Sequence, residues 1–235
     1  MKKGPKILII TPAFNEEANI GGVISALQEK VKGADILVID DGSSDSTAIV
    51  ARRTGVTVLS QPYNIGIGAS MQTGYKYACR HGYEIAVQVD ADGQHLAGEI
   101  KHLLEPIMEK KADLVVGSRF VAASGYRASF ARSAGMAFFS RLVSAIIKEK
   151  VTDTTSGFRA AGRRCIEFFS RRYPDDYPEV EALVLLHKKG FSIMEVPVKM
   201  AERTGGKSSI TPVKSVYYMI KVFLAILVDM IKRVD

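Results

Sequence analysis

Cysteine is scarce in this chain: Cys79 and Cys165 are the only two among 235 residues. They form no CxxC pair and are too few for a disulfide framework or a thiolate zinc site. That scarcity points to a reducing compartment and makes the cytoplasm the expected location. His81, His95, His102 and His187 show no HExxH or other zinc spacing. Walker A loops and GxSxG elbows are missing, which removes the usual signatures of P-loop nucleotide hydrolysis and serine hydrolysis. Long hydrophobic runs are missing too. Met1-Lys2-Lys3-Gly4-Pro5-Lys6 passes directly into Ile7-Leu8-Ile9-Ile10, without the apolar stretch and small-residue cleavage site of an export signal. The most apolar segment, 216–231, is interrupted by Lys221 and Asp229. It falls short of the roughly 20 apolar residues a spanning helix needs, so no bilayer crossing is expected. Internal repeats and low-complexity segments are absent as well.

What remains is a globular composition, 47% hydrophobic and 24% charged, in a length that suits one large α/β domain better than two. The net charge of +7 is unevenly spread, with eleven basic residues against three acidic ones between positions 119 and 172. Such an excess suits an anionic membrane surface, phosphorylated substrates or a nucleic acid, while any single Arg can equally belong to a solvated face.

Short β-branched apolar runs at 7–11, 36–40, 56–60, 85–90 and 114–118 read as strands buried on both faces. Helical patterns near 18–31, 47–54, 69–81 and 98–111 alternate with them, so βαβ units and a mostly parallel sheet are expected. The second half predicts a helix near 135–149, with Phe139, Leu142, Val143, Ile146 and Ile147 on one stripe. A helix near 179–189 and a strand at 193–198 follow, and both cysteines fall on helical stretches. In such sheets ligands bind beyond the carboxyl ends of the strands, and the polar residues of interest sit there.

Asp90-Ala91-Asp92-Gly93-Gln94-His95 carries the most chemistry. Two carboxylates at i and i+2 leaving a buried strand repel unless a cation joins them, and oxygen ligands favour Mg²⁺ or Mn²⁺. Asp40 and Asp41 end the second strand, where a carboxylate can accept from a ribose hydroxyl or a base N–H. Asp45 and Ser46 read as helix caps. Glu16 and Glu17 suit a helix start, where the dipole favours acid. Asn64-Ile65-Gly66-Ile67-Gly68 lacks the third glycine of a dinucleotide fingerprint and follows the third strand, so it reads as a tight turn.

In order, Thr11-Pro12-Ala13-Phe14-Asn15-Glu16, Asp40-Asp41-Gly42-Ser43-Ser44-Asp45, Asn64-Ile65-Gly66, Asp90 to His95 and Gly117-Ser118-Arg119-Phe120 resemble the family 2 glycosyltransferases with the GT-A fold. Asp153-Thr154-Thr155-Ser156-Gly157-Phe158-Arg159 and Arg203-Thr204-Gly205-Gly206-Lys207-Ser208-Ser209 narrow the resemblance to the dolichyl-phosphate mannose synthase group. Its members move a sugar from a nucleotide diphosphate sugar to a polyprenyl phosphate.

The resemblance implies a Rossmann-like sheet flanked by helices, a GT-A catalytic domain over 1–210 and C-terminal amphipathic helices, with 211–235 as a docking helix. It implies nucleotide binding by Pro12, Phe14, Glu16, Asp40, Asp41 and Asp90, and a metal on Asp90, Asp92 and Gln94. Asp92 and Arg119 would be catalytic, and the acceptor phosphate would meet Arg119, Arg132, Ser133, Arg203 and Lys207. The pattern departs from the family near 127–133, where Ser129 occupies the place of an Arg four residues before a Ser. A carbohydrate hydroxyl acceptor is the alternative, and it would need a general base, for which Asp153 is the candidate. The expected partners are a nucleotide-sugar donor, a polyprenyl phosphate and, through 217–231, a membrane surface, a small membrane protein or a second copy of the chain. No nucleic acid is expected. The working location is then the cytoplasmic face of the membrane, peripherally bound.

Overall fold

The computed structural model describes residues 4–120, 140–141, 143–147, 151–175, 178–201, 221 and 224. Its strands are β1 (Ile7–Ala13), β2 (Asp35–Asp40), β3 (Thr57–Ser60), β4 (Ile85–Gln88), β5 (Leu114–Ser118), β6 (Arg159–Gly162) and β7 (Ile193–Pro197). They form one sheet in the order β3-β2-β1-β4-β6-β5-β7. Pairing is parallel between β3, β2, β1 and β4 and between β5 and β7. Among the described strands only β6 runs against its neighbours, with Gln88 opposite Arg159 on one side and Val116 opposite Arg159 on the other.

The helices are α1 (Ile20–Lys30), α2 (Thr47–Arg53), α3 (Ile67–Arg80), α4 (Ile100–Met108), α5 (Arg163–Arg171) and α6 (Pro178–Lys188). Alternating strand residues face opposite layers. Leu8, Ile10, Leu37 and Ile39 join one core with Met71, Tyr75 and Phe169, whereas Ile9, Val38 and Val87 join the other with Ile24, Leu27 and Leu103. Burial on both faces explains why these strands read as continuous apolar runs rather than alternating ones. The α/β, mostly parallel sheet is as expected, but β3 is not buried on both faces: it is an edge strand, with Thr57 and Ser60 exposed and Val58 and Leu59 half-buried.

Two elements lay outside the strand and helix pattern: β6, whose Arg-Ala-Ala-Gly contains no β-branched residue, and the full extent of α5. All four residues of β6 are buried, and the slot between β4 and β5 overrides local propensity. α5 closes one layer through an aromatic cluster, with Tyr75 4.9 Å from Phe169 and Tyr173 edge-on to Phe169 at 4.9 Å. The stripe expected near 135–149 is core where it is described: Val143 and Ile147 are buried and Ile146 packs beside them. Phe139 and Leu142 lie outside the described residues, as does most of 216–231.

Candidate active site

β1 pairs with β2 on one side and β4 on the other, and its pairing with β4 stops at Ile10 opposite Gln88. Pro12 and Ala13 continue only against β2, which tolerates a proline because no N–H is needed toward β4. The sheet therefore opens a crevice beyond the carboxyl ends of β1 and β4, where the strand order reverses and α/β sheets bind ligands.

The nucleotide-side loops are tied to one another by side chains. The Asn15 backbone N–H donates to Ser43 Oγ at 2.9 Å, and Asn15 Oδ1 accepts from the Ser44 N–H at 2.9 Å. Glu16 N–H donates to Thr47 Oγ1 at 2.8 Å. Asp45 takes the N–H of Thr47 at 2.9 Å and of Glu17 at 3.2 Å, while Glu17 returns a bond to Ser46 N–H at 2.9 Å. Burial opposes ionisation of Asp45, but the bonds from Thr47 and Glu17 outweigh it and hold its pKa below the usual value.

Asp40 and Asp41 are both buried. Asp40 Oδ1 accepts from Ser43 N–H at 3.2 Å. Asp41 accepts from Ile65 N–H at 2.9 Å on one oxygen and from Gly66 N–H at 3.0 Å on the other. Asp41 thus clamps the glycine turn that leads into α3, and Gly42, at φ +70°, lets the two loops touch backbone to backbone. Phe14 stands 46% exposed over this edge, a surface on which a base can stack.

Past β4, Asp90 Oδ1 accepts from Gln88 Nε2 at 3.1 Å, and the Asp90 N–H donates to His95 Nδ1 at 3.0 Å. That bond requires the His95 tautomer protonated on Nε2, which faces Asp90 Oδ2 at 3.7 Å. His95 also stacks on Phe158 at 4.6 Å, so it orients Asp90 and leaves metal binding to oxygen ligands. Asp92 Oδ1 accepts from Gln94 N–H at 3.0 Å, bending the chain at Gly93 (φ +80°).

Asp90, Asp92 and Gln94 offer only hard oxygen donors, a set that fits Mg²⁺ or Mn²⁺. No group of three or more His, Cys, Asp and Glu side chains among the described residues forms a complete cage. An ion here would complete its shell with water and donor oxygens.

Past β5, Arg119 makes a two-pronged pair with Asp153, Nε to Oδ2 at 2.7 Å and Nη2 to Oδ1 at 2.9 Å. The Arg119 N–H adds a bond to the same carboxylate at 3.2 Å, and Nη2 also reaches Thr155 Oγ1 at 3.2 Å. Asp153 is 1% exposed and Arg119 18%. A carboxylate so engaged is an orienting group for the guanidinium rather than a ready proton acceptor.

Two further participants, Gly157 and Arg159, sit inside the 153–159 motif without a role the sequence assigned, and two others, Glu179 and Glu195, lie outside every motif. Gly157 lies against Asp90; a Cβ there would meet Gln88 Nε2 at 2.8 Å and Asp90 Oδ2 at 3.1 Å. Arg159, 2% exposed, holds the 153–158 loop from below through Ser156 O at 2.7 Å and Thr154 O at 3.3 Å. Glu179, at the start of α6, is pushed toward its protonated form by desolvation and by Asp90, against the pull of Arg159. Glu195 on β7 accepts from the 152–153 segment. Glu179 and Glu195 lie 20 or more residues beyond that motif, and no local spacing joins them to it.

The expected residues Pro12, Phe14, Glu16, Asp40, Asp41, Asp90, Asp92 and Gln94 thus line the carboxyl ends of β1, β2 and β4, with Arg119 and Asp153 beyond β5. Arg132, Ser133, Arg203 and Lys207 lie outside the described residues. A separate cleft of about 670 Å³ between α4 and β7, lined by Glu99, His102, Glu105 and Lys199 among others, gathers none of these groups.

Comparison with known proteins agrees with the geometry. The profile of Glycosyl transferase family 2 matches residues 8–168. The chain is 30% identical over 216 residues to UDP-N-acetylglucosamine–dolichyl-phosphate N-acetylglucosaminyltransferase of Methanococcus voltae, over 82% of this chain and 84% of that one. It is 29% identical over 219 residues to polyprenol monophosphomannose synthase of Mycolicibacterium smegmatis, over 88% and 81%. The crystal structure of glucosyl-3-phosphoglycerate synthase from Mycobacterium tuberculosis with Mn²⁺, UDP and phosphoglyceric acid superposes with a TM-score of 0.73 at 25% identity, over 96% and 78%.

A mostly parallel sheet with paired carboxylates at its crevice is the architecture of a GT-A glycosyltransferase. The chain belongs to glycosyl transferase family 2.

Proposed function

We propose that this enzyme transfers a sugar, with inversion, from a nucleoside diphosphate to a polyprenyl phosphate, acting peripherally at the cytoplasmic face of a membrane. The relatives that act on dolichyl phosphate and polyprenol support the acceptor class. The observation that carries the reading is the Arg119–Asp153 pair: the group beyond β5 is a held guanidinium, suited to an anionic acceptor, and not a free base. A phosphate monoester, with a second pKa near ~6, is already largely anionic at neutral pH and attacks the anomeric carbon without deprotonation.

In this reading Pro12, Phe14, Glu16, Asp40 and Asp41 shape the nucleotide site, and Asp90, Asp92 and Gln94 hold Mg²⁺ or Mn²⁺. When bound, the ion neutralises charge on the leaving diphosphate. Arg119, with Arg132, Ser133, Arg203 and Lys207, holds the acceptor phosphate at reacting distance from a donor that repels it. Residues 1–210 form the catalytic domain, and 211–235 dock on lipid or on a membrane partner. Leu224 is 53% exposed, in keeping with an apolar segment that seeks cover. No helix among the described residues is long and apolar enough to cross a membrane.

The test offers radiolabelled nucleotide sugars to the protein with undecaprenyl phosphate in liposomes, with a soluble oligosaccharide, or with 3-phosphoglycerate. Label should pass to the lipid, and EDTA should stop it. Preference for a soluble hydroxyl, with transfer depending on Asp153, would refute the reading.

A further inference from the structure

Glu195 lies on β7, opposite Val116 of β5 in the parallel register, and belongs to none of the motifs described above. Its carboxylate accepts three bonds: Thr152 N–H at 2.8 Å and Thr152 Oγ1 at 2.9 Å on Oε2, and Asp153 N–H at 2.7 Å on Oε1. Two threads run from it to the end of β5. One passes through the backbone of Asp153 to its carboxylate and so to Arg119. The other is a chain of hydroxyls. A carboxylate only accepts, so Thr152 Oγ1 donates to Glu195 and must accept from Ser118 Oγ at 2.8 Å, while Ser118 Oγ accepts from Phe120 N–H at 3.2 Å. Every donor in the second thread thus has one allowed direction. The hydroxyl thread holds the residues on either side of Arg119, Ser118 and Phe120, while the other thread ends on Arg119 itself.

We propose that Glu195 is a positioning residue: anchored on a rigid strand, it sets where Asp153 sits and thereby where the Arg119 guanidinium is presented to the acceptor phosphate. It touches no substrate, and it acts through Asp153. In the chain, β7 is followed by the segment that bears Arg203 and Lys207, two of the other proposed phosphate ligands. The role in acceptor binding rests on the phosphate-acceptor reading, whereas the positioning of Arg119 does not.

The experiment compares wild type with Glu195→Gln, whose amide nitrogen cannot accept from a backbone N–H. Three quantities are read: KM for undecaprenyl phosphate, Kd for Mn²⁺–UDP and Mn²⁺–GDP, and the Arg119 Nε–H resonance, assigned by its loss in Arg119→Lys. The acceptor KM should rise on the order of tenfold, since small misplacements of a positioning group are costly. The nucleotide Kd values should stay within about twofold, and the resonance should shift or broaden. An unchanged resonance in the folded variant overturns the proposal whatever the acceptor. A Kd that weakens in step with KM also overturns it, because that marks general structural loss. If the wild type ignores undecaprenyl phosphate while the resonance still responds, the acceptor reading fails and the positioning role stands. Should Glu195→Gln not fold, Glu195→Asp keeps the charge but shortens its reach to the Thr152 and Asp153 N–H groups. A shift of the same resonance is then expected, and none would overturn the proposal.

Discussion

Replacing Asp153 with Asn separates two roles a carboxylate can have here. As a clamp it receives three bonds from Arg119, two of them from the guanidinium at 2.7 and 2.9 Å, in a place where its own side chain is 1% exposed. Bonds to a charged group are worth about 1.5–3 kcal/mol each. They are not independent, however, and removing one partner of a buried ion pair costs about 3–5 kcal/mol because the other charge is left without compensation. Arg119 keeps 18% exposure, which places the expected loss toward the lower end of that span. At roughly 2–4 °C per kcal/mol for a chain of this size, Tm should fall by roughly 6–16 °C. Arg119→Met should cost at least as much, since it strands the more deeply buried partner. The double variant should be less damaged than the two single losses predict together, with a coupling on the order of 2 kcal/mol. Urea titrations of all four proteins, with transfer measured alongside, give the cycle. If Asp153→Asn abolished transfer while its stability stayed within about 1 kcal/mol of wild type, Asp153 would be a reacting group and the clamp argument would be wrong.

Gly157→Ala should leave the sheet intact but weaken Mn²⁺–nucleotide binding on the order of tenfold by isothermal titration, because its methyl would press on Gln88 Nε2 and Asp90 Oδ2. Asp45 stands one residue before the N-cap Ser46, and Asp45→Ala should cost about 1 kcal/mol through the lost bonds from the Thr47 and Glu17 N–H groups. The Asp45 pKa is lower folded than unfolded, so the stabilisation is full above the unfolded value and fades as pH falls through the folded one. The gap between wild type and variant in urea titrations should therefore be widest near neutrality and close as pH drops below the ordinary value of 3.8.

The strands β1, β2, β4 and β5 were legible because burial on both faces demands Val and Ile, whereas the edge strands β3 and β7 are only half-buried and showed through their β-branched residues. The paired carboxylates after β4 were legible for a related reason: charge at the end of a buried strand needs an explanation that chemistry can supply. β6 was not, because Ala160 and Ala161 are chosen by the space between β4 and β5 and not by backbone preference. Asp41 showed in the sequence as an acid at a strand end, yet its bonds to Ile65 and Gly66 depend on a loop folding back across 24 residues. The Arg119–Asp153 pair spans 34 residues and the Glu195 anchor 43. Partnerships at that range are written in three dimensions, and the sequence shows only their separate halves.

The reversed strand β6 also orders the events of folding. β1 to β4 can pair as soon as they are made, but β5 has no partner among them, since the place beside β4 belongs to residues 159–162. Until those residues leave the ribosome, β4 presents an open edge and β5, followed by the Arg119 loop, waits unattached. Arrival of β6 joins both halves in one step, and the same chain passage brings Asp153 to Arg119 and Gly157 to Asp90. Long-range pairing of this kind slows folding and exposes strand edges meanwhile. A nascent chain stalled before residue 159 would be a partly formed sheet with a sticky border, and the acceptor side of the catalytic crevice would be the last part of the enzyme to exist.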